Sequence, residues 1–112
     1  MNIRKVRLTD EIRDLVGTCF QGGQLDDPRL HQVTVTGVKL SPDLQVASIY
    51  FRVYSDMNLD EILLGLRSAT GFFKRKLARN LKIRRVPDLR YFYDKSVEQG
   101  SKIEQLIRQL HA

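Results

Sequence analysis

The sequence is poor in cysteine and has no hydrophobic run long enough to cross a membrane. Its 112 residues include one cysteine, Cys19, and no tryptophan. A single cysteine excludes an internal disulfide bond and favours a reducing, cytoplasmic setting, with Cys19 as a small buried residue. A membrane-spanning helix needs ~20 apolar residues, and no stretch approaches that length. The first residues carry positive charge without an apolar segment behind them, so no secretory signal is predicted.

The sequence also lacks the patterns of the common catalytic and metal-binding sites. Its two histidines, His31 and His111, have no second histidine or cysteine at ligand spacing. No Gly-Lys-Ser/Thr phosphate-binding loop occurs. The aspartates that fall in turns are explained there by bonds to nearby backbone amides. We therefore expect a protein that is not an enzyme and that holds no metal or cofactor.

Negative charge is nearly absent from one stretch, residues 67–90. Nine of the chain's 19 basic residues lie there, against one acid, Asp88. The rest of the chain holds ten basic and twelve acidic residues, so this stretch accounts for the net charge of +6. A localised basic patch is typical of proteins that bind a polyanion such as RNA. The simpler interpretation is a solvated helix face, but such a face usually mixes both signs of charge.

The length and composition predict a single α+β domain over residues 1–112. Apolar residues at helical spacing predict a first helix over residues 3–20. Alternating apolar and polar residues predict strands at 33–40 and 46–54, with Gly37 marking a β-bulge. A Ser-Pro-Asp-Leu turn separates the two strands, so they are expected to form a hairpin.

Residues 59–85 predict two amphipathic helices that meet at a break. Apolar side chains recur every three or four residues on both sides of the break. The break itself consists of small residues, Ser68, Ala69, Thr70 and Gly71. Gly71 costs a helix about 1 kcal/mol relative to alanine, which favours a bend here. Such a bend would leave backbone N–H groups at the start of the second helix free to bind phosphate.

The end of the chain predicts one more strand and one more helix. Pro87 disfavours helical geometry at Val86 and ends the bent helix pair. Residues 89–93 alternate as a third strand, and Ser96 is placed to cap a final helix. The predicted order is helix, strand, strand, bent helix pair, strand, helix. Three short strands with helices on one face form a two-layer α+β domain.

The second strand is predicted to have one buried face and one face in water. Its wet face carries Tyr50, Arg52 and Tyr54. Aromatic and basic side chains on an open sheet face can stack on RNA bases. Cross-strand packing also places aromatic residues on a sheet, and it is the more common explanation.

Several short stretches, taken together, resemble the ribosome-binding factor A family. They are DPRL at 27–30, VTVTGV at 33–38, SPDL at 41–44, SATGF at 68–72 and RVPDLR at 85–90, followed by DKS at 94–96, Gly100 and Ile103-Glu104. Any one of these stretches is weak evidence. In this order and spacing they cover nearly the whole chain.

This resemblance implies a KH-like fold of the bacterial type, type II. In the family an Ala-x-Gly helix–kink–helix replaces the usual Gly-x-x-Gly loop of KH domains, and here it would be Ala69-Thr70-Gly71. The resemblance also implies binding to the small (30S) ribosomal subunit and its 16S rRNA during late maturation, with a role in growth in the cold. We expect a cytoplasmic monomer with no membrane partner and no cofactor.

The predicted RNA-binding residues are the kink and the basic residues around it. They are Arg67, Ser68, Ala69, Thr70, Gly71, Lys74, Arg75, Lys76, Arg79, Lys82, Arg84, Arg85 and Arg90. Basic residues at the start of the first helix, such as Arg4 and Arg7, receive lower weight because three acids follow them. The alternative is a general KH-type RNA-binding module, or a module that binds an acidic protein through the same basic patch.

Overall fold

The computed structural model describes residues 3–21, 23–54 and 58–95. Its regular elements are, in chain order, helix α1 (Ile3–Thr18), a 3₁₀ turn (Pro28–Leu30), strands β1 (Val33–Leu40) and β2 (Val46–Val53), helix α2 (Leu59–Asn80) and strand β3 (Asp88–Tyr93). The first helix, the hairpin and the third strand lie within two residues of their predicted bounds. The predicted final helix, from Ser96 onward, lies outside the described residues.

The three strands form one sheet in the order β1-β2-β3. Strands β1 and β2 pair antiparallel as the predicted hairpin. Strand β3 pairs with β2 in parallel, after the chain has crossed over through α2. The register of the hairpin shifts between Val35 and Gly37, so Thr36 has no partner residue on β2. The predicted β-bulge is therefore confirmed.

Both helices cover the same face of the sheet, which we call the inner face. On β2 this face carries Ile49 and Phe51, each 1% exposed. Val16 of α1 and Leu77 of α2 pack in one cluster with Ile49, and Phe73 of α2 packs in a second cluster with Phe51. The expectation of a mixed α+β fold, with helices on one face of a three-stranded sheet, is thus confirmed for the described residues.

Helix α2 runs without interruption through the stretch that was expected to bend. The predicted break at residues 68–71, and the pair of helices on either side of it, is therefore wrong. Thr70 Oγ1 donates a hydrogen bond to the Leu66 carbonyl oxygen, 3.0 Å away, one turn back in the same helix. Phe73 is fully buried and holds the next turn against the sheet. Burying a phenylalanine contributes roughly 1.5–3 kcal/mol, which exceeds the cost of about 1 kcal/mol for Gly71 in a helix.

The helix ends at Asn80, earlier than the sequence predicts. The Leu81 N–H donates a hydrogen bond to the Leu77 carbonyl oxygen, one turn back, and the backbone becomes extended at Leu81. The Leu81 side chain is buried in the core. Residues 81–87 form a loop, so the expectation that the basic helix continues to residue 85 is wrong. Pro87 lies fully buried at the end of this loop, where it leads into β3.

The first half of α2 lies close to the 3₁₀ turn because Gly65 has no side chain. A Cβ there would be 3.1 Å from Leu30 Cδ2 and 3.2 Å from an Asp27 carboxylate oxygen. Hydrogen bonds from the Arg29 guanidinium hold the pKa of Asp27 below its usual value. Arg29 also pairs with Glu61 of α2, with 3.4 Å between Nη1 and Oε2. These contacts fix the position of α2 relative to the segment that precedes β1.

Candidate nucleic-acid interface

One face of α2 presents three exposed arginines, Arg67, Arg75 and Arg79, which we call the arginine ridge. The ridge lies opposite the buried side chains of Phe73 and Leu77. At 1.5 Å per residue its members are spaced about 12 Å and about 6 Å apart along the helix axis. Among the described residues, none of the three forms an ion pair with a carboxylate. Their charges are therefore available to an anionic partner.

Lys74 and Lys76 flank the ridge on opposite sides of the helix, and both are half-buried. Lys74 Nζ lies 3.3 Å from an Asp88 carboxylate oxygen. Lys76 Nζ donates a hydrogen bond to Gln24 Oε1, 3.0 Å away. An ion pair as exposed as the one between Lys74 and Asp88 contributes only ~0–1 kcal/mol. The two lysines therefore add positive potential beside the ridge, but contacts within the chain position their ammonium groups.

The residues of the predicted kink divide between the exposed face of α2 and the core. Ser68 and Gly71 are exposed, and a Cβ on Gly71 would be 3.4 Å from Arg75 Nη1. Ala69 packs against the core, and the Thr70 hydroxyl is hydrogen-bonded within the protein. The helix is uninterrupted here, so its backbone N–H groups are occupied. The anion site predicted from free N–H groups at this point is therefore wrong.

A second basic surface lies where the loop after α2 meets the start of α1. Five basic side chains line an open groove of about 1000 Å³, which we call the basic groove: Arg4, Arg7, Lys82, Arg84 and Arg85. Three acids line it as well, Glu11, Asp14 and Asp43, so its charge is mixed. From the sequence alone, Arg4 and Arg7 have low weight as RNA-binding residues because three acids follow them. Only the packing of α1 beside a loop far along the chain brings them to the groove, and such a long-range contact leaves no local signal in the sequence.

Arg90 belongs to neither surface. In the register of β2 and β3 it pairs with Ser48, between the inward-facing positions Ala47 and Ile49. Because side chains alternate along a strand, Arg90 lies on the sheet face opposite the helices. The structure thus separates Arg90 from the other predicted RNA-binding residues.

Two titratable groups in or beside the core, Cys19 and the half-buried Tyr91, have raised pKa values. Burial raises the pKa of the Tyr91 phenol, and its hydrogen bond with the Thr70 hydroxyl acts in the opposite direction. Burial also raises the pKa of the Cys19 thiol, and the positive charge of Lys76 lowers it by a smaller amount. Tyr91 and Cys19 are therefore protonated core groups at neutral pH, and neither belongs to the ridge or the groove.

Residues 3–21, 23–54 and 58–95 contain neither a metal site nor a membrane-spanning helix. No group of three or more histidine, cysteine, aspartate or glutamate side chains is arranged there to hold a metal ion. No helix in these ranges combines the length and the apolar character needed to span a bilayer. The two basic surfaces are the parts of the described structure on which the predicted basic residues other than Arg90 converge.

Comparison with known proteins identifies the family. The sequence profile described as Ribosome-binding factor A matches residues 4–107. The chain belongs to the ribosome-binding factor A family. The resemblance noted in the sequence is thereby confirmed.

Individual members of the ribosome-binding factor A family match over most of their length. The ribosome-binding factor A of Leuconostoc citreum is 40% identical over 112 residues, which cover 97% of this chain and 94% of the relative. The crystal structure of ribosome-binding factor A from Thermus thermophilus aligns with a TM-score of 0.74 and 29% identity, over 82% of this chain and 97% of that one. A homology model of the Thermus thermophilus factor, fitted into a cryo-EM map of its complex with the 30S subunit, aligns with a TM-score of 0.67 and 29% identity over the same shares.

Proposed function

We propose that this chain is a non-enzymatic assembly factor that binds the small (30S) ribosomal subunit and its 16S rRNA during late maturation. Membership of the family supports a ribosome-associated role, and the homologous Thermus thermophilus factor has been fitted into the map of a 30S complex. The observation that carries the proposal is the arginine ridge. Its three exposed guanidinium groups share one helix face and have no carboxylate partner among the described residues.

The ridge contacts the sugar–phosphate chain of the RNA. A guanidinium group can donate two parallel hydrogen bonds to phosphate oxygens, and it stays charged at every physiological pH. Such contacts supply affinity and orientation without reading the base sequence. Ser68 and Gly71 lie between Arg67 and Arg75 and are small, so the RNA backbone can approach the helix closely. The basic groove adds further phosphate contacts beyond the end of α2.

The proposal includes a type II KH-like domain over residues 1–112. It is supported by the parallel pairing of β2 with β3 across the α2 crossover. In this domain Ala69-Thr70-Gly71 occupies the position of the KH backbone-clamping loop as a continuous helical segment. The proposal further includes action as a monomer in the cytoplasm and a contribution to growth in the cold.

Co-sedimentation with mature and immature small subunits, at a series of salt concentrations, tests this function. Immature subunits should retain more of the protein than mature ones. With about five phosphate contacts, the logarithm of the binding constant should fall against the logarithm of salt concentration with a slope of about −3.5 to −4.5. Binding that is indifferent to salt would reject phosphate contacts as the source of affinity.

The alternatives give different results in the same assay. A general RNA-binding module would bind unrelated RNA as tightly as 16S rRNA and would not prefer immature subunits. A module for acidic proteins would bind the ribosomal-protein fraction after the RNA has been removed. The proposed function requires both the RNA and the preference for small subunits.

A further inference from the structure

The sheet face away from the helices, which we call the outer face, carries aromatic and basic side chains that the ridge and the groove do not use. Four of them form what we call the outer platform: Lys39, Tyr50, Arg90 and Phe92. Phe92 is 44% exposed, although it is a large apolar side chain. Lys39 and Arg90 are exposed as well, and Tyr50 is half-buried. Among the described residues, no helix packs on this face.

The strand register places these side chains in two adjacent rows. In one row, Lys39 of β1 and Arg90 of β3 lie on either side of Ser48 of β2. In the next row, Tyr50 lies between Gly37 and Phe92. Neighbouring rows on one face are two residues apart along the strand, or roughly 6.6 Å. The platform therefore pairs a row of two cations with a row of two aromatic rings.

The rings are arranged as an extended surface. Tyr50 and Phe92 stack with 5.6 Å between their centroids and 30° between their planes. Lys39 Nζ lies 5.4 Å from the centroid of the Tyr50 ring. A Cβ on Gly37 would meet no atom within 4 Å, so the space beside Tyr50 on β1 is open. Cross-strand packing explains why the two rings touch each other, but it leaves Phe92 exposed.

Acidic side chains lie only towards the two ends of this face among the described residues. Towards one end, the Asp94 carboxylate accepts a hydrogen bond from the Thr36 hydroxyl. At the other end, the Asp88 carboxylate pairs with Lys74 of α2, the helix that covers the inner face. The centre of the face therefore combines positive charge with aromatic rings, which suits an anionic ligand that has flat apolar groups.

We infer that the outer platform is a second RNA-contact surface, which binds unpaired bases of single-stranded RNA. A base stacks on the Phe92–Tyr50 pair, while Lys39 and Arg90 contact the adjacent phosphates. Stacking on aromatic side chains needs an exposed base face, which a single strand offers and a duplex does not. This inference rests on the proposed function and deepens it, because it names the kind of RNA that the second surface takes.

The test measures the binding of a short fluorescein-labelled single-stranded RNA of mixed sequence, and of a duplex RNA of the same length, by fluorescence anisotropy. Phe92→Leu keeps an apolar side chain but removes the ring, so affinity for the single strand should fall about fivefold. Affinity for the duplex should not change. Tyr54→Leu is the matched control, since Tyr54 is also exposed on this face but lies beyond Asp94, where it contacts Arg52.

A second variant replaces both cations of the platform, Lys39→Gln with Arg90→Gln. Both side chains are exposed, so the fold should be retained even if Phe92→Leu lowers stability. The slope of the logarithm of the single-strand binding constant against the logarithm of salt concentration should become shallower by about 1.4, since each phosphate contact on a single strand contributes about 0.7. Single-strand binding that is the same in the unchanged protein and in both variants would overturn the inference.

Failure of this inference can be told apart from failure of the proposed function. If the platform variants bind single strands normally while small-subunit binding persists, the platform is wrong and the proposed function stands. If single-strand binding depends on Phe92 but no small-subunit binding is found, the platform binds RNA and the proposed function is wrong. The outer platform could instead be covered by a second copy of the chain, and sedimentation velocity tests this. If the protein forms a dimer that Phe92→Leu abolishes while RNA binding is unchanged, the face belongs to a dimer interface and the inference is overturned.

Discussion

The two faces of helix α2 differ in exposure, packing and charge. The buried face carries Leu66, Phe73 and Leu77, each at most 1% exposed and packed on the sheet. The opposite face carries the arginine ridge, which is exposed and has no ion pair among the described residues. The first face holds the domain together, whereas the second is available to a ligand. Because the two are separate, stability and RNA binding should respond to different substitutions.

The largest expected effect is on stability, from Leu77→Ala. Leu77 is 0% exposed and packs in the cluster that joins α2 to the sheet. The lost burial and the cavity should lower the free energy of unfolding by about 2–5 kcal/mol. Chemical denaturation measures this loss, and RNA binding by the remaining folded protein should be normal.

Leu64→Ala is the matched control on the same helix. Leu64 is 49% exposed, and removing its side chain should change stability by no more than about 0.5 kcal/mol. Equal losses in Leu64→Ala and Leu77→Ala would mean that Leu77 does not face the sheet and Leu64 does not face the solvent. A Leu77→Ala protein that is folded but unable to bind RNA would show that the two faces are not independent.

The buried face could be predicted from the sequence because it follows from periodicity. Phe73 and Leu77 recur at helical spacing, and the structure buries both. Periodicity could not show whether α2 bends at residues 68–71. The small residues around Gly71 indicated a break, but the decisive factor is the burial of Phe73 on a sheet that the local sequence does not reveal. Tertiary packing overrides a local preference of about 1 kcal/mol.

The next effect is on binding, from the double substitution Arg75→Gln with Arg79→Gln. Removing two phosphate contacts should weaken small-subunit binding about tenfold or more and reduce the salt slope by about two. Stability should stay within about 0.5 kcal/mol, because both side chains are exposed. Co-sedimentation and thermal denaturation of the same sample measure the two quantities.

Arg13→Glu provides a control with the same change in net charge. Arg13 lies on α1, away from the ridge, and is held by Asp10 and Asp14 at 3.6 Å each. If binding depends on the ridge itself, Arg13→Glu should leave affinity nearly unchanged. Equal weakening by both variants would mean that net charge, and not the ridge, determines binding.

The candidate site was predictable in part. The scarcity of acids in residues 67–90 identified the basic stretch that contains the ridge, because charge sign is a property of the sequence itself. The sequence did not show that Arg90 lies apart from the ridge, since the face of the sheet on which it lies follows from the pairing of β3 with β2. The sequence likewise did not predict that Arg4 and Arg7 line the basic groove. Their approach to the loop after α2 depends on the packing of α1, which no local pattern encodes.

The smallest effect, Gly71→Ala, tests whether α2 is continuous in solution. In an unbroken helix, alanine in place of glycine should raise the free energy of unfolding by up to about 1 kcal/mol. There is room for the added methyl group, since the nearest atom is the mobile end of the Arg75 side chain at 3.4 Å. Gly65→Ala is the contrasting variant, because its methyl group would lie 3.1 Å from Leu30. This substitution should raise the free energy of unfolding by less than Gly71→Ala does, or should lower it. If Gly71→Ala instead destabilised the protein, a bend at this position would be required after all, and the free N–H groups of a second helix would again be candidates for binding phosphate.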